Sequence, residues 1–154
     1  MGRIAATRRG VTGSVTLLVA LLFLGFLQTP AHATTALERQ MLRLTNASRL
    51  SHGEHRLRID AGRTTKAHKH SAAMARAGTL YHTSDPADYY LRGVRWSKWG
   101  ENVGETTVDL PDLQVAFMNS TVHRHNILDR RFHRVGVGVV QRGGTFWVTL
   151  FFYG

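Results

Sequence analysis

The last twenty residues constrain the fold of this chain more than any other stretch. Val135-Gly136-Val137-Gly138-Val139-Val140 and Thr145-Phe146-Trp147-Val148-Thr149-Leu150-Phe151 are two runs of β-formers. Arg142-Gly143-Gly144 between them supplies the glycines a tight turn needs, so the two runs are predicted to form an antiparallel hairpin. Upstream the pattern changes. Leu37, Met41, Leu44 and Ala47 recur at helical spacing and predict a helix from residue 35 to about 50, ended by His52-Gly53. Leu57 and Ile59 then turn toward the core. Asp60 is positioned as the N-cap of a second helix over residues 61–77, which Gly78 stops, with Ala67, His70, Met74 and Ala77 as its inner stripe.

Residues 79–108 read as loop-rich, with Ser84-Asp85-Pro86 as a turn signal. A further helix begins at Asp109, with Pro111 in its first turn, and presents Leu113, Val115, Ala116 and Phe117. A short helical segment covers residues 121–128. Helices first and strands last predict a layered α+β domain rather than repeated βαβ units.

The N-terminus reads as a targeting segment. Arg3, Arg8 and Arg9 precede an almost wholly apolar run over residues 15–27, and Ala31-His32-Ala33 is a small-x-small cleavage pattern. Residues 1–33 are therefore predicted to be a secretory signal peptide, cut after Ala33. The apolar run is shorter than the roughly 20 residues of a membrane-spanning helix, and no transmembrane segment is predicted after cleavage. The 121 residues that remain suffice for one domain with its own core. The whole chain carries a formal charge of +10. The leader takes away three of its 20 basic residues and none of its ten acids, leaving +7. Such a surface suits a lipid or an anionic cell-wall polymer. No nucleic-acid recognition motif is present. The chain has no cysteine, which excludes thiol nucleophiles, thiolate metal sites and thiol redox chemistry. His-Glu-x-x-His, Gly-x-Ser-x-Gly and Walker-type patterns are absent as well.

Three short stretches carry candidate chemistry. The first is Tyr81-His82-Thr83-Ser84. The second is Gly100-Glu101-Asn102-Val103, where flanking glycines suggest a turn that aims the Glu101 carboxylate inward. The third is Asn119-Ser120-Thr121-Val122-His123-Arg124-His125-Asn126-Ile127-Leu128, a capped helical segment holding His123. Together they resemble the cleft of the CAP superfamily (cysteine-rich secretory proteins, antigen 5 and pathogenesis-related proteins) in its bacterial SCP-like form. The resemblance runs from Leu44-Thr45-Asn46-Ala47 through the Val-Gly-Val-Gly-Val strand to Gly154. It assigns residues 34–154 to one CAP domain and implies a three-layer α-β-α sandwich around a central antiparallel sheet.

The same resemblance implies a ligand-binding cleft formed by His70, His82, Glu101, Ser120 and His123. His70, in the His70-Ser71-x-x-Met74 helix, would line this cleft or stand behind it. Glu101 and His123 become the catalytic candidates, and His82 and His123 the candidate ligands of Zn2+ or another divalent cation. Thr121-Val122 stand where Pro-Gly is usual, Phe117 replaces a tryptophan and Arg63 an apolar residue. Phe117-Met118-Asn119-Ser120 lacks the second glutamate of many eukaryotic clefts. The loss of that acid favours binding over catalysis. The expected function is a secreted, extracellular protein, in contact with the cell envelope, whose cleft binds a small ligand: a lipid, a divalent cation or an envelope component. The alternatives are a metal-dependent hydrolase or peptidase using His82, His123 and Glu101, and a structural envelope protein with a vestigial cleft.

Other residues are expected to have plainer roles. His68, His125 and His133 are predicted at the surface, and His52 and His55 in an ordinary loop. Phe146, Trp147, Phe151, Phe152 and Tyr153 are predicted to pack in the core, while Trp96 and Trp99 are the candidate partners of an amphipathic ligand.

Overall fold

A computed structural model of the chain describes residues 33–154, so the predicted signal peptide falls outside the described residues except for Ala33. Helix α1 (Ala36–Ser51) starts in a capping box. Glu38 N–H donates to Thr35 Oγ1 and Thr35 N–H donates back to Glu38 Oε2, satisfying two amides that a helix start leaves open. The two-residue strand β1 (Arg58–Ile59) leads to α2 (Ala61–Ala77), whose ends are those the sequence predicts. Asp60 Oδ1 accepts from Arg63 N–H, and Gly78 closes the helix at φ 65°.

The stretch expected to be loop-rich holds two elements instead, α3 (Pro86–Leu91) and β2 (Trp99–Thr106). Asp85 and Pro86 do more than turn the chain: Asp85 Oδ1 accepts from Asp88 N–H and Pro86 opens the first turn of α3. Strand β2 lacks an alternating apolar rhythm because, apart from Val103, its buried residues are glycine and polar. Then follow α4 (Leu110–Asn119), α5 (Thr121–Leu128), β3 (Arg134–Arg142) and β4 (Thr145–Tyr153). Gly143 and Gly144, both at positive φ, form the two-residue turn of the hairpin.

The sheet order is β1-β3-β4-β2. Its three long strands are antiparallel, as expected, and β1 adds a short parallel edge in which Arg58 lies beside Arg134. Because side chains alternate along a strand, the sheet has two distinct faces. Val135, Val137, Val139, Val148, Leu150 and Phe152 point to one side, where they pack with Met41 of α1, Leu113 and Phe117 of α4 and Ile127 of α5. On the other side Gly136 and Gly138 face α2. A β-carbon at Gly138 would lie 2.2 Å from the backbone of Ala67, and one at Gly136 would lie 2.6 Å from that of Arg63. The alternating Val-Gly pattern thus lets α2 lie directly on the strand backbone. Two α2 hydroxyls bond to it: Val137 N–H donates to Thr64 Oγ1, and Ser71 Oγ donates to Gly138 O.

Arg63, which departs from the family pattern, fits this close approach through its stem. Its Nε donates to Tyr90 O and its guanidinium lies over the Tyr153 ring. Helix α1 differs from its predicted stripe. Ala47 is exposed, while Glu38, Met41, Thr45, Asn46 and Arg49 are buried. Arg49 is fully buried with no carboxylate of the described residues bonded to it; it donates to the carbonyls of His55, Ile127, Asp129 and, at 3.4 Å, Phe132. These bonds tie α1 to the end of α5 and to the approach to β3. They also explain how a buried cation is tolerated, since its donors are met by main-chain oxygens.

Candidate functional site

The site lies at the β2 edge of the sheet, where the link between α2 and α3 meets α5. Gly100 and Gly104 of β2 face α5 and α4. A β-carbon at Gly100 would lie 2.7 Å from Asn126 Oδ1, and one at Gly104 would lie 2.7 Å from the Phe117 ring. The glycines around Glu101 therefore serve helix packing inside a strand, which corrects the expected glycine-flanked turn. Asn102, on the same face as these glycines, donates to His123 O at 3.0 Å and accepts from Asn126 Nδ2 at 2.9 Å. This amide pair fastens α5, and with it His123, to β2.

Glu101 points to the opposite face, toward α2 and α3, and its side chain is almost fully buried. Its Oε1 accepts from His82 Nδ1 and from Thr83 N–H, both at 2.9 Å, and its Oε2 accepts from Thr83 Oγ1 at 2.8 Å. Since a carboxylate only accepts, His82 carries a proton on Nδ1 and presents Nε2 outward from a ring that is 60% exposed. His70 of α2 holds the same link from behind: its Nε2 donates to Tyr81 O at 2.9 Å, with the Tyr81 ring edge-on at 5.1 Å. His70 thus acts on the cleft through Tyr81. Beneath Glu101, Tyr90 stacks on Phe151 at 3.9 Å. Its hydroxyl is buried without a bond of normal geometry among the described residues, though it lies close enough to feel Thr83 and Glu101. Burial first, and then the Glu101 charge, push this phenol far above its ordinary value.

His123 sits half-buried on α5 with its ring 5.0 Å from Phe117. Burial, then repulsion from His82, lower its pKa below the ordinary imidazole value. Two imidazoles therefore share one field, one oriented by a carboxylate and the other favoured in its neutral form. Ser120 is the N-cap residue of α5 but its side chain makes no capping bond. Among the described residues no group of three or more His, Cys, Asp or Glu is arranged to hold a metal ion. A concavity of about 730 Å3 lies elsewhere, along α5 and the segment after it, lined by Thr121, Arg124, His125, Leu128 and residues 129–131.

The remaining sequence expectations divide. His125 is exposed, as predicted, and so is Trp96 at 44%. His68 is only partly exposed, with Nδ1 2.8 Å from the buried Glu38 carboxylate. Trp99, expected to face a ligand, is a half-buried β2 residue stacked with Phe151. Sequence reasoning singled out neither Thr83 nor Tyr90. Thr83 was legible only as part of Tyr81-His82-Thr83-Ser84, and Tyr90 lay in a region read as loop.

The sequence model of the cysteine-rich secretory protein family, CAP, matches residues 42–151. The chain belongs to the CAP family. Its likeness is to bacterial SCP-like members. It is 32% identical over 124 residues to the Bacillus subtilis (strain 168) protein YkwD, covering 77% of this chain and 48% of that protein. An extracellular SCP-domain protein from Bacillus anthracis str. Ames superposes with a TM-score of 0.64 at 30% identity, covering 75% of this chain and 39% of that one. A cysteine-rich secretory protein from Staphylococcus aureus gives a TM-score of 0.63 at 23% identity, over 80% and 40% of the two chains. The chain thus spans less than half the length of each of these CAP relatives. The two solved relatives are described as extracellular or secretory. Among the described residues of this CAP protein no helix is long and apolar enough to cross a membrane.

Proposed function

We propose that this chain is exported through its residue 1–33 leader and binds a small ligand in the cleft between His82 and His123. The observation that carries this reading is the hydrogen bond from His82 Nδ1 to the buried Glu101 carboxylate. It fixes the tautomer and turns Nε2 outward, as a carboxylate does behind a metal-ligating histidine. His123 adds a second imidazole whose neutral form is favoured, able to donate a lone pair or accept a hydrogen bond. A divalent cation such as Zn2+ would be held by these two nitrogens, with open positions left for water or ligand. Glu101 is less suited to act as a base, since Thr83 and His82 together already donate three hydrogen bonds to it.

Calorimetric titration with Zn2+ tests the reading. The wild type is expected to bind one ion. His82→Ala/His123→Ala should abolish binding, and Glu101→Gln should weaken it about 10–100-fold by loosening His82. Identical binding by the double variant would remove the cleft from consideration. Peptide turnover by the wild type that disappears in a folded Glu101→Gln variant would favour the hydrolase reading instead.

A further inference from the structure

A second site stands at the opposite, β1 edge of the sheet. A concavity of about 430 Å3 is lined by His55, Arg56, Arg58, His133 and Arg134, with no carboxylate among these residues. The parallel pairing of β1 with β3 places Arg58 directly beside Arg134. Neighbouring strands lie about 4.8 Å apart, and like charges so placed destabilise a sheet. The guanidinium groups of Arg56, Arg58 and Arg134 make no hydrogen bond or ion pair with any described residue. Asp60, whose charge reaches Arg134, is already engaged by Tyr153 Oη at 2.6 Å and by Arg63 N–H at 3.0 Å. By contrast, Arg49 a few residues earlier has its donors met by carbonyls. The pocket arginines are thus gathered and exposed, their guanidinium groups without a partner among the described residues.

The two histidines add an oriented donor. His55 Nε2 lies 3.0 Å from Phe132 O and 2.8 Å from His133 Nδ1. The carbonyl can only accept, so His55 Nε2 carries the proton and shares it with the unprotonated Nδ1 of His133. The proton of His133 is then on Nε2, which has no described partner.

We propose that this pocket binds a phosphate group. Guanidinium forks match phosphate oxygens in pairs. Three such charges exceed what a single carboxylate balances, whereas a phosphate near −2, or two successive phosphodiesters of a polymer, comes close to balancing them. The pocket is separate from the His82–His123 cleft and does not depend on the reading given to it.

The test titrates the full chain with inorganic phosphate and, separately, with a glycerol phosphate oligomer. Calorimetry measures affinity, and histidine ring NMR signals locate the site. Arg58→Gln/Arg134→Gln is expected to lower affinity at least tenfold. Arg43→Gln/Arg76→Gln, which removes the same charge from exposed helix positions, should change it less than twofold. His82→Ala/His123→Ala should leave it unchanged. Tighter binding of the oligomer would identify a polymer-borne phosphate, and equal or tighter binding of inorganic phosphate a free one. An equal loss in the two arginine pairs would mean attraction by overall charge and would overturn the site. So would a wild type that binds neither probe at millimolar concentration, or unmoved His55 and His133 signals.

Discussion

On one face of the sheet Val135, Val137, Val139, Leu150 and Phe152 meet three helices; on the other, Gly136 and Gly138 bring α2 down onto the strands, and α3 packs beside it through Tyr90 and Leu91. The first face excludes water by filling space with branched and aromatic side chains. The second combines aromatic packing around Phe151 and Trp147 with a bare seam along β3, where side chains are removed, backbones touch and hydroxyls complete the contact. The candidate cleft is built mainly on the second face. Glu101, His70 and Tyr90 project there, in a layer already organised by polar contacts, and only His123 is brought in from α5. A buried carboxylate can be held where hydroxyls and amides are at hand; a layer of valines would offer it nothing.

The contrast can be broken by changing volume on each face. Phe152→Ala, on the filled face, is expected to cost about 3–5 kcal/mol in urea unfolding, because it leaves a cavity. At the glycine seam of the other face the opposite change is harmful. Gly138→Ala adds one methyl against the Ala67 backbone and should cost about 3 kcal/mol, at the upper end of overpacking effects. If Gly138→Ala were neutral, the direct seating of α2 on β3 would be wrong. Ser71→Ala sharpens the polar part of the comparison. It removes the partner of Thr149 Oγ1 and a donor to Gly138 O, and is expected to cost about 1–3 kcal/mol.

The next test is pH. His123 has a lowered pKa in the folded chain, so the unfolded chain takes up its proton more readily. Stability from this group is full above the unfolded value of about 6.5 and is lost as pH falls through the lower folded value. Wild-type stability should fall between pH 7 and pH 5, and the fall should be shallower in His123→Gln. Parallel curves for the two proteins would contradict a buried, disfavoured imidazolium. The smallest effect is expected for Arg58→Gln/Arg134→Gln, within about 0.5 kcal/mol of wild type in stability, since both side chains are exposed.

The elements that the sequence displayed most openly are those with strong end signals or an apolar rhythm. Asp60 and Gly78 bracket α2, Asp109 and Pro111 mark the start of α4, and the Val-Gly run announces β3. Strand β2 was hidden because four of its five buried positions are Gly100, Glu101, Asn102 and Gly104, and Val103 alone advertises burial. The inner side of α1 was misread for a related reason. Arg49 and Glu38 look like surface residues until their partners, which are distant in sequence or lie in the helix cap, come into place. In the site, His82, Glu101 and His123 could be named through their motifs. The roles of Thr83 and Tyr90 could not, because both depend on how α3 and β2 pack beneath the cleft.

Strand β1 has a consequence for how this protein behaves in a crowd of its own copies. A sheet edge is a template on which another chain can add a strand. Here β1 spans two residues and carries Arg58 beside Arg134, a charged stop rather than an inviting ribbon. Farther along β3, Val137 N–H is already taken by Thr64 of α2. A chain with no cysteine to lock its fold thus protects the β1–β3 edge of its sheet against cross-β self-assembly with two arginines and a threonine.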